Sequence, residues 1–451
     1  MVSKIVPILA LLMLVGCSPS TSTSTSSPST TGTATSVTTP TPTPTPTLSG
    51  SLDMVTDHSL DAFYSMDLYV GGETFPDVLI DTASSNLILF GNSTVCPTCS
   101  QNTFPDFTPT TYTPSSQPLD NGQTFTIKYG IGQGTVALYQ DNVGLLANGP
   151  TVSYPIGVFV SGTQVQNILG LGYAANVATV QGTQPPLPFF ETYAQQTGLQ
   201  TLFSINLCPD GQNGSFMTFD TIDSAVPTSS INYTTILQDS LLQQPTYDYY
   251  NVSAQTLSAV SASGQVTSLA SFPTQQSDFY LTVVDSGTSL LYLTQSMVNA
   301  IATYYQGKPA TSQIPTSFWN LNPKKAETIT PAQFSTLDNL QITFPSPNGG
   351  TFTVTLTPDT YIINANTAAA PEYVSGMTVA AAPTNTMPGI VLLGQPFLQN
   401  VYAVFNQTTQ QLGFAPNQAL CNSSSTVSAQ SEMRAPLMGR HPLHKRTHIS
   451  S

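Results

Sequence analysis

The chain carries one local pattern twice, and this repetition constrains its fold more than any other feature. Val78-Leu79-Ile80-Asp81-Thr82-Ala83-Ser84-Ser85-Asn86-Leu87 and Thr282-Val283-Val284-Asp285-Ser286-Gly287-Thr288-Ser289-Leu290-Leu291 each run an apolar strand into an aspartate, then through small hydroxyl residues, then back to apolar sequence. Such a turn buries a carboxylate, which is tolerated only where hydroxyl and backbone N–H groups bond it. One copy alone reads most simply as a strand ending in an Asx or Ser/Thr turn. Two copies, 204 residues apart, read instead as a duplicated lobe that brings two carboxylates together.

Composition agrees with a two-lobed β protein. The 451 residues are 40% apolar, enough for two cores, and only 7% charged, with 30 Gly and 36 Pro. Abundant Thr, Ser, Val and Tyr, with few long stretches of helical period, predict an all-β chain of short strands and turns. Between residues 51 and 421 only Lys128, Lys308, Lys324 and Lys325 stand against 22 Asp and Glu, a net charge of −18. A surface this negative repels nucleic acid and anionic membrane. It suits acidic surroundings, where protonation relieves the self-repulsion, and serves solubility equally well.

The organisation along the chain points to export. Lys4 precedes the apolar run Ile5 to Val15, too short to span a bilayer as a helix, and residues 1–17 read as a secretory leader. Its end, Leu14-Val15-Gly16-Cys17, resembles a lipoprotein lipobox with Cys17 as the lipid anchor; the alternative is an ordinary signal peptide with a chance cysteine. Residues 18–50, almost entirely Ser, Thr and Pro, cannot bury a core and read as a tether. Mucin-like O-glycosylation is the competing account of that segment. Two acyl chains on the cysteine would anchor where one would not. The folded body is expected over 51–206 and 207–421, followed by a disordered polar and basic tail at 422–451.

Four cysteines remain once Cys17 is set aside, and three pairings could satisfy them. Cys96 and Cys99 can close a small loop, leaving Cys208 and Cys421 to bridge the middle of the chain to its end. Zinc is the rival for a C-x-x-C pair, but no second pair accompanies it, and only His58 falls in the body. An oxidising compartment and no metal are expected.

From about residue 60 to 416 the chain resembles the pepsin-like aspartic proteases. Asp81-Thr82-Ala83-Ser84-Ser85 and Asp285-Ser286-Gly287-Thr288-Ser289 sit where that family has its two catalytic signatures. Supporting matches follow in the family's order. Phe125-Thr126-Ile127-Lys128-Tyr129-Gly130-Ile131-Gly132 is similar to the flap hairpin with its tyrosine. Asn167-Ile168-Leu169-Gly170-Leu171-Gly172 is similar to the apolar segment behind the first aspartate. Phe203-Ser204-Ile205-Asn206-Leu207 resembles the strand leading into the inter-lobe sheet. Val391-Leu392-Leu393-Gly394, Phe397, and Tyr402 to Asn406 through Leu412 to Ala415 resemble the closing strands.

The resemblance implies a bilobal all-β fold whose inter-lobe cleft takes an extended polypeptide. It implies catalysis by Asp81 and Asp285, which share one proton because like charges so close cannot both ionise, aspartic proteases being the usual illustration. No cofactor is implied. Ser84 and Thr288 would bond the outer carboxylate oxygens, Thr82 and Ser286 would tie the two turns together, and Tyr129 and Gly130 would cover substrate. A monomer acting on polypeptides is expected, with membrane association only through the lipid anchor.

The sequence departs from the family at defined points. Ala83 replaces a glycine, which matters if that position needs positive φ. Ile88 replaces the tryptophan that bonds the flap tyrosine, and Trp319, the chain's one tryptophan, lies in the second lobe. Gln166-Asn167 replaces an acidic-glycine pair. The segment between Cys17 and Ser51 has no Lys or Arg, so no basic inhibitory prosegment is expected. Asp120, Asp141 and Asp220 read as surface carboxylates. Two other function classes stand beside the enzyme. A non-catalytic peptide-binding module on the same fold leaves retention of both aspartates unexplained, and a stalked adhesin leaves the paired signatures unexplained.

Overall fold

The computed structural model describes residues 48–56, 62–99, 109–129, 132–162, 166–210, 212–239, 245–321, 326–364, 372–385 and 387–421. Cys17, Gly130 and the tail from residue 422 lie outside them, as does the tether up to Thr47.

Each Asp segment is the first strand of the same three-strand arrangement. Glu73–Asp81 pairs in parallel with Ile168–Gly170, which pairs antiparallel with Leu87–Gly91. In the second half Tyr280–Val284 pairs in parallel with Gly389–Leu393, which pairs antiparallel with Leu291–Leu293. A distant strand is therefore inserted between the two strands that flank each Asp turn. The glycine that ends each inserted stretch is required by this crossing. A Cβ on Gly170 would lie 2.6 Å from the backbone nitrogen of Asn86, and one on Gly394 would lie 2.2 Å from the carbonyl oxygen of Leu290.

Around these arrangements the chain builds two all-β lobes. The first is a nine-stranded sheet that also contains the hairpin Thr124–Lys128 and Gln133–Gly144. The second holds two four-stranded sheets, one with Asn339–Pro345 paired to Thr351–Leu356. A six-stranded antiparallel sheet draws on both halves, in the order Leu48–Ser51, Phe216–Phe219, Leu202–Asn206, Val401–Asn406, Gln411–Pro416, Asn232–Thr235. Thr124–Lys128 alternates buried and exposed positions, as a half-buried strand must, whereas Leu87–Gly91 and Leu202–Asn206 are buried throughout.

The strand Leu48–Ser51 begins within the segment expected to be tether as far as residue 50. Its backbone gains partners along Phe216–Phe219, so sheet pairing orders it without an apolar core of its own. Helix is sparse. Gln295–Gln306, capped by the Thr294 hydroxyl accepting from Met297 N–H, buries Met297, Val298, Ile301, Ala302 and Tyr305 at helical spacing.

Aromatic packing joins the two halves beneath the cleft. Phe203 stacks on Phe405 at 4.8 Å, and Tyr250 meets Phe405 edge-on at 4.8 Å while its hydroxyl donates to the Leu171 carbonyl. Trp319 stacks on Tyr305 at 4.7 Å, buried within the second lobe. Cys96 is bonded to Cys99 and Cys208 to Cys421, so neither C-x-x-C thiolate is free to hold zinc. The disulfides fit an exported protein. No helix among the described residues is long and apolar enough to cross a membrane.

Candidate active site

Asp81 closes its strand and Asp285 directly follows its own, so each side chain emerges where a sheet ends. The inserted strands fix both backbones: Leu171 N–H donates to the Asp81 carbonyl at 2.8 Å, and Asp285 N–H donates to the Leu393 carbonyl at 3.1 Å. The carboxyls are 7% and 5% exposed and lie within hydrogen-bonding reach of each other.

The turns that follow supply matching bonds. Ala83 N–H donates to Asp81 Oδ1 at 2.9 Å, and Gly287 N–H donates to Asp285 Oδ1 at 2.8 Å. Thr288 Oγ1 donates to Asp285 Oδ2 at 2.5 Å. The counterpart on the other side is weaker: Ser84 lowers the Asp81 pKa, but its buried hydroxyl reaches no regular hydrogen bond.

Thr82 and Ser286 interlock the turns. Thr82 N–H donates to Ser286 Oγ at 3.1 Å and Ser286 N–H donates to Thr82 Oγ1 at 3.0 Å. Each hydroxyl then donates across the junction, Thr82 to the Val284 carbonyl and Ser286 to the Ile80 carbonyl, at 3.0 and 2.8 Å. Four buried bonds related by an approximate two-fold thus hold two distant chain segments in one geometry.

Burial pushes both carboxyls above the usual range. At Asp285 the neighbouring Asp81 charge adds to the effect, while Thr288 and the Gly287 N–H oppose it. At Asp81 the opposing influences come from the nearby Ser84 and from the Ala83 N–H bond. Two carboxyls in contact and shielded from water hold a proton between them over a wider pH range than either would alone.

Tyr129 stands at the end of the hairpin strand, its N–H donating to the Gly132 carbonyl at 2.7 Å. Its ring packs on Phe63, Leu79 and Ile168 and on the separate small core that contains Ile88, Phe125 and Ile127. Burial first, and then the Asp81 charge, hold the phenol well above its ordinary pKa. The phenol oxygen is buried without a hydrogen-bond partner among the described residues. With Ile88 fully buried in that core, contact there is apolar only. Ala83 is not among the residues with positive φ, so its methyl costs no backbone strain.

Other groups come to the site without a local sequence signal. Burial raises the Tyr249 pKa, and the charges of Asp248, Asp239 and, least, the two dyad aspartates add to it. Gln395 Nε2 donates to the Ser286 carbonyl at 3.3 Å. Asn167 accepts from Phe90 N–H at 2.8 Å and donates to the Thr110 carbonyl at 2.9 Å, a tie that an acidic-glycine pair would not make. Asp141, expected as a surface carboxylate, accepts from Tyr112 at 2.6 Å.

A bilobal all-β fold with an interlocked aspartate pair at the lobe junction defines the class of protein. The family model described as "Eukaryotic aspartyl protease" matches residues 63–417, and the chain belongs to that family. It is similar to Pepsin A of Rhinolophus ferrumequinum, 27% identical over 385 residues that cover 82% of this chain and 86% of that protein. It is similar also to Pepsin A of Canis lupus familiaris, 28% identical with 80% and 84% covered. Aspergillopepsin-1 of Aspergillus pseudoglaucus is 26% identical, with 79% of each chain covered.

Proposed function

We propose that the protein is an aspartic endopeptidase that hydrolyses polypeptides in acid with a water activated between Asp81 and Asp285. The contact of two buried carboxyls, each bonded by the turn that follows it, carries this reading. With one proton shared, the ionised carboxylate takes a proton from water as its oxygen attacks the scissile carbonyl. The protonated partner donates to the carbonyl oxygen, giving a neutral gem-diol. Collapse of the diol breaks the C–N bond: the carboxyl that took the water's proton gives it to the departing nitrogen, a diol hydroxyl passes its proton to the other carboxylate, and the pair is again in its starting single-proton state.

Tyr129 covers substrate from the flap, and the apolar core beside it favours bulky apolar residues next to the cut bond. The raised carboxyls and the net charge of −18 over residues 51–421 both favour working in acid. The lipobox-like run ending at Cys17 and the Ser/Thr/Pro segment support a lipid-anchored, extracytoplasmic enzyme on a tether. We read it as a monomer with lobes at 51–206 and 207–421. Fatty-acid labelling that survives Cys17→Ser would remove the anchor from this account.

The test is cleavage of denatured protein by purified residues 48–451 across about pH 2 to 7, with and without pepstatin. Cleavage in acid that pepstatin abolishes is the expected result. A folded but inert protein overturns the reading in favour of a peptide-binding module.

A further inference from the structure

The two Asp turns differ at one position whose side chain the proposed chemistry leaves unassigned. Ala83 and Gly287 are equivalent, each donating its N–H to the inner carboxylate oxygen of its own turn. A Cβ on Gly287 would stand 2.7 Å from Asp81 Oδ1, 2.8 Å from Asp81 Cγ and 3.3 Å from Asp285 Oδ1. The glycine Cα is thus packed against the carboxyl of the opposite turn, where no side-chain carbon fits without displacement. The reciprocal bonds of Thr82 and Ser286 relate the turns by a two-fold, which carries that same position onto the real methyl group of Ala83. Across the junction from it stands Asp285.

We propose that Ala83 is a positioning residue for the pair, its methyl group covering the inner face of the Asp285 carboxyl and holding it off the symmetric position. Gly287, with no side chain, sets only its Cα against the Asp81 carboxyl. The inference deepens the endopeptidase reading and rests on it for its catalytic meaning. An apolar cover disfavours the charged carboxylate, so Asp285 keeps the shared proton and acts as acid, while Asp81 takes the proton from water. Burial raises both carboxyls, and at Asp285 the Asp81 charge adds to it. The other ionisable groups that act on the pair are Tyr129 from the flap and Tyr249 from the segment before Tyr250. Behind Tyr249 are Asp248 and Asp239. Both tyrosines stay neutral throughout the acid range, so neither competes for the proton.

The test is Ala83→Gly, read by the pH profile of kcat/KM on a soluble peptide and by difference infrared titration of the carboxyls against Asp285→Asn. Opening Asp285 to water should move the alkaline limb and the infrared titration together toward acid by about half a pH unit or more, roughly threefold in proton affinity. Should Ala83→Gly fail to fold, Ala83→Ser, whose hydroxyl can bond the carboxylate, should shift both in the same direction. Profiles and titrations that superimpose on wild type overturn the inference. If wild type cleaves nothing at any pH, the catalytic reading fails, while the infrared titration still decides whether Ala83 covers Asp285.

Discussion

Thr82 and Ser286 exchange hydrogen bonds across the lobe junction, each backbone N–H donating to the other's hydroxyl oxygen at 3.1 and 3.0 Å. Removing either hydroxyl leaves a buried N–H of the opposite turn unpaired. Thr82→Val and Ser286→Ala should each cost about 1–3 kcal/mol in denaturant unfolding. Because they share one network, the double variant should lose less than the sum. Strict additivity would mean that the turns do not support each other.

The dyad also sets a pH dependence of stability. Both carboxyls are raised in the folded chain, so between the ordinary carboxylate range and the raised values the native state binds more protons than the unfolded one. Stability is therefore greatest in acid and falls as pH rises through that window, by about 1.4 kcal/mol for each tenfold difference in proton affinity between the folded and unfolded chain. Thermal melts at about pH 4 and pH 8 should show the higher Tm in acid, and Asp81→Asn should flatten the difference. A wild type more stable at the higher pH contradicts this.

The Tyr129 hydroxyl is buried without a partner among the described residues. Tyr129→Phe removes an unpaired polar atom and should leave stability unchanged or slightly higher, with kcat/KM altered by less than about tenfold, or 1.4 kcal/mol. Tyr129→Ala removes the ring contacts as well and should cost more in both. A Phe variant as damaged as the Ala variant would show that the hydroxyl has a partner during turnover.

The disulfides should differ in weight. Cys208–Cys421 links positions 213 residues apart, whereas Cys96–Cys99 spans a separation of 3. In the chain-entropy account the long loop constrains the unfolded state by about 5 kcal/mol and the short one by about 2 kcal/mol. Paired Cys→Ser substitutions, compared by urea unfolding, should rank in that order.

Much of this arrangement is legible in the sequence, because a buried carboxylate demands a local pattern. The two Asp-hydroxyl runs show the duplication, and the family resemblance marks Ile168-Leu169-Gly170 as an apolar segment behind the first aspartate and Val391-Leu392-Leu393-Gly394 as part of the closing strands; that both are inserted strands, each ended by a glycine where nothing larger fits, is seen only in the fold. What escapes sequence reasoning is set by distant partners. Tyr249 belongs to an ordinary Tyr-rich run until the fold turns it toward the dyad. Leu48 to Gly50 look like tether until Phe216–Phe219 offers them an edge. The positive φ that a glycine at position 83 could have indicated is absent, and only the packing of its counterpart Gly287 reveals why the alanine matters.

The central claim is that two carboxyls act as one unit, and single-site neutralisation tests it most directly. Asp81→Asn and Asp285→Asn keep the volume of each side chain and remove its acid–base function. Both variants are expected to fold, with melts in acid close to wild type, and each to lose a thousandfold or more in kcat on a denatured protein substrate, about 4 kcal/mol in the barrier. Either variant retaining activity within about tenfold of wild type would contradict it.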